Sequence, residues 1–171
     1  MKKVSLVLVA GILVFVGIIT GIIITASIYH KSHVVLDGPS MEPTIHNGQN
    51  LTIKKYGSTS DIKRGDIVEY QSTNQLVTKH SKSGKLIHRI IALPGERITI
   101  NNGAVLVFNA HNPNGFNPDS YLASGVTTQG TVDTTLAQDT YFVMGDNRPN
   151  ALDSRSTGPV SFGNIIGKVA Y

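Results

Sequence analysis

Residues 4–29 contain no charged side chain and are mostly Val, Ile and Leu, a run longer than the roughly 20 residues that cross a bilayer as a helix. Lys2 and Lys3 precede the run and Thr25-Ala26-Ser27 lies near its end, the outline of a removable secretory signal. A signal's apolar region is about 7–15 residues, so this one is too long, and an uncleaved transmembrane α-helix within residues 1–30 is expected. Lys2, Lys3 and the amino terminus outweigh Lys31 beyond the run, which places the start in the cytoplasm. Residues 31–171 then face outward from a single-pass anchor in the cell membrane, with lipid as a neighbour.

The roughly 140 residues that follow suffice for one domain with a real core and hardly for two. There are no cysteines, which excludes a disulfide framework, a thiol nucleophile and thiol-ligated zinc. No cofactor or metal is expected. The net charge of +4 comes from scattered Lys and Arg with no basic run and no Trp. That pattern argues against a nucleic-acid partner and fits a solvated surface near anionic headgroups.

The remaining sequence reads as mostly β. Val34-Val35-Leu36, Leu51-Thr52-Ile53, Ile67-Val68-Glu69-Tyr70 and Ile98-Thr99-Ile100 are short β-favouring runs separated by Gly, Asn, Pro and Ser. Within residues 85–100, period-2 alternation puts Leu86, His88, Ile90 and Ala92 on one face and Ile87, Arg89, Ile91 and Leu93 on the other. Residues 101–138 are rich in Asn, Gly, Thr and Ser, with Val105-Leu106-Val107-Phe108 as their convincing strand, and read as a small excursion or flexible cap. Strands resume at Thr140-Tyr141-Phe142-Val143-Met144, which runs into the polar turn Gly145-Asp146-Asn147-Arg148, and again at Ile165-Ile166-Gly167-Lys168-Val169.

Ser40 lies in a bend set by Gly38 and Pro39, with Pro43 excluding a regular helix. A serine nucleophile needs a base to take its proton and donors for the oxyanion. His88 interrupts an apolar strand, where burial would favour the neutral, base-competent imidazole; the plainer role is a core histidine bonded to a carbonyl. Asp146 and Asp153, flanked by Arg148 and Arg155, could form a salt-bridged loop or present a carboxylate to His88.

These segments together resemble type I signal peptidases: a membrane anchor, the Ser40-to-Thr44 box, Arg64-Gly65-Asp66 entering a strand, His88-Arg89 followed by Leu93-Pro94-Gly95-Glu96, and the box of residues 145–155. The resemblance covers about residues 34–100 and 137–169. It implies a signal-peptidase-like (LexA-like) β fold, with a catalytic core of residues 34–100 and 137–171 and an inserted cap at about 101–136. It also implies a serine endopeptidase that removes signal peptides from preproteins with small residues at the first and third positions before the cut. On that reading Ser40 is the nucleophile, His88 the base and Asp153 its orienting partner, with Asp146 competing for the last role. The Ser40 backbone N–H is the oxyanion donor, and Gly38 marks the position of an absent hydroxyl donor. Met41, Arg89 and Arg155 are supporting residues, Met41 as an apolar loop residue reaching toward lipid and Arg155 as the partner of a carboxylate.

Two departures stand out. The bacterial family carries a lysine base where this chain has His88, and a serine that orients it where this chain has Ala151. The eukaryotic and archaeal branch uses histidine, so both losses together fit a site converted to Ser-His chemistry. The same two losses are what support the alternative, an inactive membrane protein that binds signal peptides or a protease partner. A repressor-type autoprotease is the third reading, opposed by the apolar start and by the absence of a helix-turn-helix segment before Ser40.

Overall fold

The uncharged run folds as one helix, α1 (Leu6–Ile28), of 23 residues. The computed structural model describes residues 6–28, 31–81 and 83–170; Lys2, Lys3, Tyr29 and His30 lie outside the described residues. Side chains of α1 are described only for Val9 and residues 11–21, and among the described residues no helix is long and apolar enough to cross a membrane. Residues 1–31 form one unit and residues 32–171 another.

The second unit is mostly β, as its β-branched runs and Gly-rich breaks require. Its elements are β1 (Lys31–Val35), β2 (Asn50–Lys54), β3 (Ile67–Gln71), α2 (Gln75–His80), β4 (Lys85–Ala92), β5 (Arg97–Asn101), β6 (Ala104–Asn109), β7 (Asn112–Phe116), β8 (Val132–Thr135), β9 (Thr140–Met144), α3 (Ser154–Thr157), β10 (Val160–Ser161) and β11 (Ile165–Ala170). One sheet has seven strands in the order β1-β2-β11-β3-β4-β9-β10, and a second has four in the order β7-β6-β5-β8.

The antiparallel pair β3 and β4 lies inside the larger sheet and sets the position of His88, with Val68 opposite His88, Glu69 opposite Ile87 and Tyr70 opposite Leu86. Gly65, at φ +87°, makes the Arg64-Gly65-Asp66 turn that feeds β3, and Ile90 ties it to β4 by accepting from Gly65 N and donating to Asp66 O. The alternation expected along β4 holds only to Ile90. The register to β9 shifts between Ile90 and Ala92, an irregularity of the kind a β-bulge makes. Ile91 and Ala92 therefore pack together with Phe142 and Met144, while Ile90 packs with Val68, Tyr70 and Val143.

Of the two readings for residues 101–138, the small excursion holds, as β structure, and the flexible cap does not. Residues 104–109 and 132–135 pair with β5, and residues 112–116 pair with 104–109, to make the smaller sheet, and Ile98, Ile100, Val105 and Val107 share a core with Ile91, Ala92, Phe142 and Met144. β7 escapes a sequence reading because Asn112-Pro113-Asn114-Gly115 carries no apolar alternation. Met41 also departs from expectation: it is wholly buried with Leu36, Ile45, Leu51, Ile53, Ile67 and Ile87, so it is core and not a lipid-facing residue.

Arg148 joins the connection between β7 and β8 to the loop after β9. Its buried guanidinium donates to both carboxylate oxygens of Asp119, to Thr128 Oγ1 and to Tyr121 Oη at 2.9 Å, and its Nε donates to Gly145 O at 3.1 Å. Arg148→Ala would leave Asp119 and several buried polar groups uncompensated. Urea denaturation is expected to report a loss of about 3–5 kcal/mol, and Arg148→Lys should recover little of it because an ammonium cannot reproduce the two-pronged contact.

Candidate active site

The Gly38-Pro39-Ser40 bend is held in place by the loop after β9. Asn147 N donates to Ser40 O and Asn147 Nδ2 to Pro39 O, each at 3.0 Å. Gly38, at φ +99°, donates its N–H to Asn47 Oδ1 at 2.9 Å. Position 38 is glycine and so supplies no hydroxyl, and although nothing stands within 4 Å of where a Cβ would project, the positive φ disfavours any other residue. The Ser40 amide and hydroxyl have no hydrogen-bond partner among the described residues.

His88 is wholly buried. Its Nδ1 lies 2.9 Å from Tyr70 Oη, with the rings tilted at 48°. Tyr70 reaches it diagonally from the neighbouring strand, a spacing accessible to aromatic side chains. His88 Nε2 is buried and has no hydrogen-bond partner. Burial pushes the imidazole down to about 4, against Asp153 and Asp146, which raise it, and with Arg155, which lowers it. At neutral pH the ring is therefore uncharged, and its second nitrogen is the single buried polar side-chain atom without a partner among the described residues.

Ser40 and His88 line one cleft of about 610 Å³, together with Val34, Leu36, Leu86 and Leu152. They also flank Gly145. A Cβ placed there would come within 2.5 Å of Ser40 O and 3.4 Å of His88 Cδ2, and would run into Ala151 Cβ. No hydrogen bond joins the Ser40 hydroxyl to His88.

Neither aspartate expected to orient His88 bonds to it. Asp153 caps α3 and accepts from Gly145 N at 3.0 Å and from Arg155 Nε and Nη2, each at 2.8 Å. Its charge reaches the imidazole without a direct contact. Asp146 accepts from Arg89 Nε at 2.9 Å, Arg89 Nη2 at 2.5 Å and Thr44 Oγ1 at 2.5 Å. Arg89 also donates to Gly65 O at 3.0 Å and stacks over the Tyr121 ring. Arg155 pairs with Asp153, as expected of it, and braces the loop through Arg148 O at 2.7 Å. Tyr70 is the residue that sequence reasoning missed. Its one available signal was a polar-tipped aromatic at the end of the β-favouring run after Arg64-Gly65-Asp66.

This arrangement offers a free hydroxyl, a free backbone N–H and a neutral imidazole around one cleft. Residues 8–171 match the family described as signal peptidase, peptidase S26. The chain belongs to that family. Signal peptidase I U of Bacillus subtilis (strain 168) is 30% identical over an alignment of 172 residues that covers 97% of this chain and 86% of that protein. Signal peptidase I P of Bacillus subtilis subsp. natto is 34% identical over 132 residues, 71% of this chain and 65% of that protein. The chain thus spans just under two thirds of the second relative's length. A crystal structure of a signal peptidase I from Enterococcus faecalis V583 covers 64% of this chain and 97% of its own, with a TM-score of 0.46 and 21% identity.

Gly145→Ala tests how closely the bend and the loop are pressed together. The added methyl meets Ser40 backbone and Ala151, neither of which can swing away as a long side chain could. It is expected to destabilise the fold by about 1–3 kcal/mol, measured by urea denaturation.

Proposed function

We propose that the protein is a membrane-anchored serine endopeptidase that removes signal peptides, with Ser40 as nucleophile and His88 as general base. The observation that carries this reading is the buried, neutral, unpartnered His88 Nε2 lining the same cleft as a Ser40 whose hydroxyl and amide are both free. A buried nitrogen without a partner is costly in a structural role, whereas a base must keep that lone pair unoccupied until substrate arrives.

In the proposed reaction Ser40 Oγ attacks the scissile carbonyl carbon as Nε2 takes its proton. The Ser40 N–H donates to the oxyanion. His88 then returns the proton to the leaving amine, and water releases the acyl group by the same route in reverse. Nε2 can act as base only in the tautomer that carries its proton on Nδ1, which donates to Tyr70 Oη. Tyr70 thus holds the ring where an aspartate does in a Ser-His-Asp triad, and Asp153 acts through space to favour the imidazolium. An extended substrate fits the cleft because β1 lies at the edge of the larger sheet, where a peptide can add as a strand.

The anchor belongs to this proposal. It rests on the sequence, since residues 4–29 are uncharged and mostly apolar, a run longer than the roughly 20 residues that a crossing helix needs. It does not rest on the described part of α1, which is not long and apolar enough to cross by itself. With Lys2 and Lys3 on the cytoplasmic side, residues 31–171 lie outside. The rival reading, an inactive relative that binds signal peptides, draws on Ala151 and on the lack of a Ser40–His88 hydrogen bond. Cleavage of a preprotein by the full-length protein separates the two: turnover should disappear in both Ser40→Ala and His88→Ala, and a wild-type protein that binds but never cleaves would favour the rival.

The state of His88 also sets the pH profile. The neutral ring is the competent form, so kcat/KM should hold steady as pH falls through histidine's ordinary 6.5 and decline only toward about 4. An acid limb centred at 6.5 or above would contradict this. Stability moves in the same direction. Between about 6.5 and about 4 the unfolded imidazole binds a proton that the folded one does not. Folding free energy is thus full above that window and falls through it, which denaturant melts at stepped pH can follow.

Tyr70→Phe keeps the ring and deletes its hydroxyl. It should lower kcat by about tenfold or more, the range of a lost hydrogen bond of about 1–3 kcal/mol, and leave KM nearly unchanged. Equal loss of kcat at every pH with no movement of the acid limb would assign Tyr70 a packing role only.

A further inference from the structure

Tyr121, in the connection between β7 and β8, has no part in the reaction proposed above, yet it touches both arginines that brace the site. The Arg89 guanidinium lies over its ring, 4.3 Å from the centroid, and its Oη accepts from Arg148 Nη2 at 2.9 Å. Arg89 directly follows His88 on β4, so its side chain leaves the opposite face of the strand. The edge of its guanidinium is taken up, since Nε and Nη2 grip Asp146 in two prongs and Nη1 donates to Gly65 O. Tyr121 covers the flat face that these edge contacts leave, a stacking geometry that suits a guanidinium. The Arg89 side chain is 11% exposed and that of Asp146 is fully buried, whereas Tyr121 is 40% exposed. The ring thus stands on the solvent side of this ion pair.

We propose that Tyr121 is a positioning residue for the nucleophile: its ring shields the Arg89–Asp146 pair and so holds the Ser40 bend in place beside His88. The proposal rests on the peptidase reading above, in which Ser40 and His88 react together. The path between them is continuous. Asp146 accepts from Thr44 Oγ1 at 2.5 Å, four residues beyond Ser40. Its chain neighbours meet the bend directly, Gly145 where a Cβ would come within 2.5 Å of Ser40 O and Asn147 by donating to Ser40 O and Pro39 O. An ion pair sheltered from water holds its partners more firmly than a solvated one. With the ring gone, water reaches the guanidinium face, Asp146 loses its firm hold on Thr44, and Ser40 Oγ samples orientations that miss Nε2. Misplacement of a reacting group by about 1 Å is enough to cost about a hundredfold in rate. Peptide binding is spared, because Val34, Leu36 and Leu86 line the cleft and Tyr121 does not. The connection between β7 and β8 thereby takes part in the reaction without touching substrate.

The test compares Tyr121→Leu, Tyr121→Phe and Arg89→Lys in the full-length protein in detergent micelles, with a signal-peptide substrate. Tyr121→Leu should lower kcat by about tenfold, within the reach of a desolvated cation–π contact, and move KM by less than about twofold. Tyr121→Phe keeps the ring and loses the bond to Arg148, so it should unfold at a lower denaturant concentration yet hold kcat within about twofold of wild type. This rescue separates positioning from stability, since a merely structural tyrosine would lose stability in both variants and kcat in neither. Adding Tyr121→Leu to Arg89→Lys should cost nothing further, because the two act through one contact. An unchanged kcat in Tyr121→Leu, an equal kcat loss in Tyr121→Phe, or losses that multiply in the double variant would overturn the proposal and leave the peptidase reading intact. Hydrogen exchange read by mass spectrometry follows the bend without turnover. The amides of Glu42, Ile45 and Asn147, which donate to Pro39 O, Met41 O and Ser40 O, should exchange faster in Tyr121→Leu and at the wild-type rate in Tyr121→Phe. Faster exchange there, alongside a wild-type protein that cuts no peptide, would sustain the hold on the bend and remove the peptidase. Equal exchange in wild type and both Tyr121 variants would sink the proposal whatever the cleavage result.

Discussion

A neutral imidazole enclosed in the middle of a sheet governs the rest of the site. Water is excluded from His88, so the charged form is disfavoured and the ring stays unprotonated far into the acid range. Only Nδ1 is hydrogen-bonded, to Tyr70, and the other nitrogen is left with its lone pair or its proton unmatched. An apolar side chain at that position would avoid this cost. The register of β3 against β4 fixes the arrangement, because it puts Tyr70 on a diagonal to His88 and Val68 directly opposite it.

Charges around the imidazole are arranged to hold loops and not to touch the ring. Asp146 is saturated by Arg89 and Thr44, and thereby ties the loop after β9 to β4 and to the Ser40 turn. Asp153 is saturated by Gly145 N and Arg155, which fixes the start of α3. Arg148 ties the same loop to Asp119 in the connection between β7 and β8. Gly145 sits where these constraints meet, so close to Ser40 and Ala151 that no side chain fits. The field of Asp153 still reaches His88 through the low-dielectric interior.

Much of the larger sheet was legible because its strands carry β-branched runs bounded by Gly and Pro, and the turn at Gly65 was legible from Arg64-Gly65-Asp66 only in the company of the other family-like segments. The smaller sheet was less so. β7 and β8 are polar strands, stabilised by pairing with neighbours and by the core behind β5 and β6, and a local pattern does not reveal a partner distant in the chain. Met41 was read as a surface residue because it lies in a turn, yet the turn folds back over the β2 and β3 core. Asp153 was given a direct bond to His88 on the strength of a motif, and its oxygens instead serve Gly145 and Arg155.

The sequence by itself determined an uncharged helical start, a mostly β domain free of cysteine chemistry, and the identity of a serine and a histidine 48 positions apart as the pair worth testing. Those follow from composition, local periodicity and short motifs. Tertiary structure alone decided that Tyr70, and not an aspartate, bonds the histidine, that His88 Nε2 is left open, and that Tyr121 stacks on Arg89. These depend on which residues face one another across a ladder and on how far water is excluded. Both are set by strand register and packing between segments remote in sequence, to which no local pattern has access.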